Sequence, residues 1–227
     1  MNAVKGIFTA EFKERSRRFS FIAMIALALF AAFWFVPRDD GYMQVMIIQP
    51  DRFLQAGHPS WIPIASAWGL SFFLTPIGFF YMKNLLSQDQ QLGVTQLVQS
   101  SPIGNVRYIF GKWLAGIALL YSITATVVAG SFVMMMLRFP GQIISAYDFL
   151  SPIAYLIIVI PFFLSAAVFF DSIRFLRGVF GSVVFIAAFL MVYVLQALFE
   201  NPTVWMRFFD LSGATIIVGT IQQAVLE

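Results

Sequence analysis

The chain has no cysteine and a single histidine, His58, in 227 residues. Without thiols there is no disulfide framework, no thiolate metal site and no cysteine nucleophile. A protein metal site gathers several nitrogen, sulfur or carboxylate ligands, and His58, beside Pro59 in a mixed polar stretch, reads as a solvated side chain. Charge is scarce as well, at 11% of residues, where a soluble domain carries about a quarter. Phosphate-binding and hydrolytic motifs are missing too. Gly111–Lys112 resembles the end of a phosphate loop, but Val106 stands where the first glycine belongs and Trp113 where a hydroxyl is required. One histidine rules out H-E-x-x-H, no G-x-S-x-G elbow occurs, and Asn201–Pro202–Thr203 fails as a glycosylation acceptor because of its proline. Familiar proteases and hydrolases are thereby excluded, and an ATP site of its own is not expected.

What the chain does have is apolar surface. Hydrophobic residues make up 60%, with 27 Phe and 5 Trp, and the mean hydropathy is +0.84. These values predict an all-α polytopic membrane protein with about five transmembrane helices. Phe19–Val36 is an uncharged run of 18 residues, just long enough to cross, and reads as an uncleaved anchor. Further spans are expected at 61–82, 113–137, 149–170 and 178–199, with an outer loop at 37–60 and an outer tail at 200–227. Trp61 fits an interfacial aromatic belt. Pro76 is expected to kink the second span, with Ser71 or Thr75 answering the freed carbonyl, and Pro161 falls in mid-span of the fourth.

The net charge of +3 follows from topology rather than from nucleic acid. Lys5, Lys13, Arg15, Arg17, Arg18, Lys83, Arg107, Lys112, Arg174 and Arg177 fall on one side of these spans, and Arg38, Arg52, Arg138 and Arg207 on the other, ten against four. The positive-inside rule puts the N-terminus in the cytoplasm of a cell-membrane protein. Five spans then leave the C-terminus outside, and with the weakly apolar stretch 216–226 this predicts a chain that stops short of a sixth span or a further domain. Residues 1–18 carry Val4, Ile7, Phe8 and Phe12 at helical spacing, with Lys5, Glu11, Lys13, Glu14, Arg15, Arg17 and Arg18 as the polar complement. The segment reads either as an interfacial helix whose Arg15, Arg17 and Arg18 meet anionic lipid, or as a plain topogenic charge cluster.

No ionisable residue falls in the central part of any expected span, so an ion-coupled secondary transporter is disfavoured. The polar residues left in the spans, Ser71, Thr75, Ser122 and Thr126 among them, are candidate pathway groups or simply bond their own backbone. Between the second and third spans lies the longest polar-leaning segment, Lys83–Lys112. Leu85, Leu86, Leu92, Val94, Leu97 and Val98 recur there as one apolar stripe, with Asp89 as the sole acid, which predicts a helix lying along the membrane surface or docked on a partner. Ser101–Pro102 breaks it, and a second helix is expected from Gly104–Asn105 through Arg107, Tyr108, Gly111 and Lys112.

The run Gln91–Leu92–Gly93–Val94–Thr95–Gln96–Leu97–Val98–Gln99–Ser100–Ser101–Pro102–Ile103, followed by Tyr108, Gly111–Lys112 and Leu114–Ala115, resembles the loop between the second and third spans of ABC-2 type transporter permeases. Glu11–Phe12–Lys13 and the basic residues before the first span are similar to that family's amphipathic connector helix. The chain departs from the pattern at Gln96, near which the family often has an acid, and in showing five spans where six are usual. The resemblance implies the permease subunit of an ABC exporter, paired with a second permease and docked on a cytoplasmic ATPase that binds the ATP and magnesium. Asp89, Leu92, Gly93, Leu97, Val98, Ser101, Pro102, Arg107, Tyr108, Gly111 and Lys112 would form the docking segment. The alternative is a non-transporting membrane anchor for a soluble domain or complex, in which the same residues only link two spans. Because the chain lacks cysteine, single cysteines placed in 83–112 should react with a membrane-impermeant reagent only after the cells are permeabilised. Labelling without permeabilisation would reverse the topology.

Overall fold

A computed structural model describes residues 2–36, 61–91, 104–141, 144–173, 175–176 and 178–198. The expected outer loop at 37–60, residues 92–103 of the docking segment and the tail at 200–227 lie outside the described residues. Among the described residues every regular element is helical: α1 (Asn2–Ser16), α2 (Phe19–Phe35), α3 (Trp61–Gln91), α4 (Asn105–Arg138), the short α5 (Ala146–Leu150), a 3-10 turn (Ser151–Ile153), α6 (Leu156–Ser172) and α7 (Val179–Leu198). Three stretches are long and apolar enough to cross a membrane: Ile62–Lys83, Asn105–Arg138 and Ala146–Ser172. The bent pair α1–α2, turning by 70°, makes a fourth if counted as one span, and α7 adds a further apolar helix.

Element boundaries depart from the sequence reading in two places, each with a local cause. At about 1.5 Å per residue, α3 is about 46 Å long and α4 about 51 Å, against a hydrocarbon layer of about 30 Å. The spanning stretch Ile62–Lys83 matches the expected 61–82, but the helix does not end with it. Between Lys83 and Gln91 there is neither glycine nor proline, so α3 continues as a helical extension through the first part of the docking segment. The fourth span, expected over 149–170, falls within the apolar stretch Ala146–Ser172 and changes helix type near its start. Ser145 caps α5 by accepting the Asp148 backbone N–H at 3.1 Å, and Pro152 then sits in the first turn of the 3-10 segment, where its missing N–H costs least. Pro161 leaves α6 continuous.

The core lies on α3, which packs most extensively on α6, while α1 and α2 pack chiefly on α4. Phe79 of α3 stacks on Phe185 of α7 with centroids 3.6 Å apart, and the Phe170 ring meets Phe79 edge-on at 5.3 Å. Small residues allow the closest approaches. A side-chain carbon on Gly130 would come within 2.8 Å of the Ala32 methyl, and one on Gly181 within 1.9 Å of the Leu176 carbonyl oxygen. The exterior is apolar: Phe19, Ile158 and Val179 are more than 70% exposed. Such a surface suits a helical bundle solvated by lipid.

Pro76 and Pro161 lie in helix interiors, and the carbonyl that Pro161 frees has a replacement donor. Pro161 cannot supply the N–H that the Ile157 carbonyl expects, and the Tyr121 hydroxyl of α4 donates to that oxygen at 2.7 Å. Tyr121→Phe should therefore lower stability by about 1 kcal/mol in thermal unfolding of the detergent-solubilised chain. In a Pro161→Ala background, where residue 161 regains its donor, the same change should cost markedly less. Equal losses in both backgrounds would show that the hydroxyl is not standing in for the proline.

Candidate functional site

The extended ends of α3 and α4 lie on the same side of the bundle as α1, and the chain concentrates its buried charge there. On α1, Val4, Ile7, Phe8, Glu11 and Arg15 recur at helical spacing, so one stripe begins apolar and ends charged. Ile7 is held so close to Gly111 of α4 that a side-chain carbon there would sit 2.9 Å from its methyl. Glu11 and Arg15 are both below 10% exposed. The Glu11 carboxylate accepts from the Arg15 guanidinium on one oxygen and from the Lys112 ammonium, at 3.1 Å, on the other. Lys112 also lies 5.2 Å from the Tyr108 ring centroid, and the Arg15 guanidinium stands 5.2 Å over the Tyr81 ring of α3. One carboxylate thus serves two cations at the junction of α1, α3 and α4. Burial pulls the Arg15 pKa down, while Tyr81 and the Glu11 carboxylate push it up and prevail, so the guanidinium stays charged.

A second anchor holds the exit of α3. The Lys83 ammonium donates to the Gly178 carbonyl at 2.6 Å and to the Ser182 hydroxyl at 3.0 Å, and lies 5.7 Å from the Phe79 ring. Gly178, just before α7, adopts φ +91°, a conformation open to glycine. At the opposite end of the bundle the Arg138 guanidinium donates to the Val36 carbonyl and lies 4.6 Å over the Phe33 ring, joining α4 to α2. Lys83, Lys112 and Arg138, which the sequence presents as topology markers, act here as staples between helices.

The predicted site residues sort as follows. Gly111 and Lys112 face α1 and are buried; Tyr108 is half-buried and Arg107 exposed. Asp89 falls in the last turn of α3, and Leu92, Gly93, Leu97, Val98, Ser101 and Pro102 lie outside the described residues. Phe8 stacks on Phe12 at 5.9 Å, both half-buried. Arg17 and Arg18 are exposed, Arg18 paired with Glu14. Arg15 departs from that reading: it turns into the protein because Glu11 and Tyr81 receive it there. Of the candidate pathway groups, Ser122 bonds the Ala118 carbonyl and Thr126 the Ser122 carbonyl, while Ser71 and Thr75 are buried between helices. Sequence reasoning missed the Ser66–Ser131 bond across α3 and α4 (3.0 Å) and the Lys83–Gly178 contact; neither leaves a signal in local spacing.

An apolar groove of about 360 Å³ lies between α2 and α3 above Ile123 and Val127 of α4, with Leu27, Phe30 and Phe73 on its walls. It offers no charge and can take only apolar groups. No protein-family model, no curated protein and no solved structure matches this chain.

Removing the shared carboxylate isolates two buried cations from it. Glu11→Leu should destabilise the chain by about 3 kcal/mol in thermal unfolding and expose α1 to added protease. Replacing Glu11, Arg15 and Lys112 together with leucine should recover most of that loss. If the single and triple variants behave alike, charge pairing is not what holds α1.

Proposed function

We propose that this chain is the transmembrane permease subunit of an ABC-type exporter, moving substrate across the cell membrane with ATP hydrolysed by a separate cytoplasmic ATPase. The observation that carries the reading is the anchoring of the two flanks of the 83–112 segment. Both are helical extensions of spanning helices, and each is held beside the bundle by a buried lysine, Lys83 on the α7 turn and Lys112 on Glu11 of α1. A push on the segment therefore reaches α1, α3, α4 and α7 together. Charged side chains among the described residues stand only in α1 or near the ends of the other helices, which disfavours a charged relay along the described helices. Energy from a docked partner fits that construction better than an ion gradient does.

In this reading the Lys83–Lys112 end faces the cytoplasm, five helices span the membrane, and a second permease subunit completes the pathway. ATP and magnesium belong to the ATPase. The apolar stripe Leu92, Leu97 and Val98 lies in a groove on that subunit as a helix-in-groove contact, and closure of the ATPase pair rocks α3 and α4. A non-transporting anchor would use the same two extensions but would need only one conformation.

The test is co-purification. Leu97→Asp, and separately Gly93→Trp, should abolish recovery of an ATPase subunit with the tagged chain from membranes, with insertion and yield unchanged. Recovery at the unmutated level with both variants would remove the docking claim.

A further inference from the structure

The serine and threonine hydroxyls of α4 and α6 find partners, and Thr75 of α3 does not. Ser122, Thr124, Thr126, Ser165 and Ser172 each donate to the carbonyl four residues earlier, at 2.8–3.0 Å. Ser66 and Ser131 bond each other. Thr75 is 2% exposed, and its hydroxyl has no hydrogen-bond partner. It borders a small void between α3, α4 and α6, walled also by Ser71, Leu120, Ile160 and Phe163, which leaves no space for a water molecule. A buried hydroxyl with neither a partner nor room for one is uncommon in a folded protein and asks for a reason.

The helices beside it supply one. Pro76 follows Thr75 in α3, and Pro161 follows Ile160 in α6, so both walls lack a ladder bond at the level of the void. On the α6 side the freed Ile157 carbonyl is already held by a side chain, Tyr121, so α6 can bend there without breaking a backbone pair. We propose that Thr75 marks a hydration site in the middle of the bundle, closed in this structure, which takes up water when α6 parts from α3 at the level of Pro76 and Pro161. Water suits the walls. Ser71 and Thr75 supply two hydroxyls one turn apart on the same face of α3, enough polar contact to hold it. An ion does not suit them, because no charged side chain lines the void. The site stands independently of any ATPase docking, which its test does not involve.

The cysteine-free chain makes the test direct. The full chain carrying Thr75→Cys, reconstituted in lipid vesicles, should react with a small water-soluble thiosulfonate at least tenfold faster than the chain carrying Leu119→Cys, an equally buried position away from the void. A thiol reacts as its thiolate, which needs water around it. Rates equal to the Leu119→Cys control would overturn the proposal. In a second measurement, Thr75→Val should raise the thermal midpoint of the closed form, since the orphaned hydroxyl gives way to a methyl of the same shape. An unchanged or lowered midpoint would mean that the hydroxyl is already satisfied, and would overturn the proposal equally. Should Thr75→Cys fail to fold, labelling of Ser71→Cys against the same control decides the matter.

Discussion

A single carboxylate, Glu11, takes the Arg15 guanidinium on one oxygen and the Lys112 ammonium on the other. In a bundle solvated by lipid, a polar group left without a partner has no water to turn to, so charge is retained only where the protein itself receives it. Here the receiving group decides the shape. The three residues lie on α1 and α4, with Tyr81 of α3 beneath the guanidinium, so satisfying the charges fixes how α1 crosses the two long helices. A buried pair of this kind adds little net stability over an apolar contact, but it penalises any arrangement that separates its members. That makes it a device for specifying position. The 70° turn at Arg17–Arg18 follows, because α1 must lie across the ends of α3 and α4 while α2 runs along α4.

The same logic applies at the other helix ends. Lys83 gives its protons to the turn before α7, and Arg138 gives one to the last carbonyl after α2. Helices that would otherwise slide on apolar faces, with no hydrophobic force between them in lipid, are held in register by these end contacts and by close small-residue packing such as Gly130 on Ala32. The apolar surfaces between the staples then need only shape.

Much of this was legible in the residues. Long uncharged runs mark the helices, and the helix beginning at Asn105 follows from Pro102 and Gly104 before it. The continuation of α3 to Gln91 was also within reach, since nothing in Lys83–Gln91 breaks a helix, although the apolar run itself ends at Lys83. Arg15 is the more instructive case. Its position continues the stripe of Val4, Ile7, Phe8 and Glu11, so helical spacing alone turned it toward the protein, yet its charge suggested lipid headgroups. One of the groups that receive it, the Tyr81 ring of α3, stands far along the chain, and no local pattern reports it. The Tyr121–Ile157 and Ser66–Ser131 bonds were hidden for the same reason: they join helices whose pairing is a tertiary fact.

Stiffness is distributed unevenly along α3, and the distribution has a direction. Ser71, Thr75, Phe79 and Lys83 fall one turn apart on a single face. Lys83 is bonded to the turn before α7, and Phe79 is wedged among Phe185 and Phe170, so the last two turns of the span move with α6 and α7 as one block. One turn further on, at Thr75 and Pro76, a hydroxyl lacks a partner and the helix lacks a ladder bond. A displacement applied at the Gln91 end would pass through the stiff block with little loss and be taken up where resistance first falls, beside the void between α3 and α6. The extension, the staple, the aromatic wedge and the proline step thus form one mechanical series, tied to its neighbours at the charged end and least braced at the proline level.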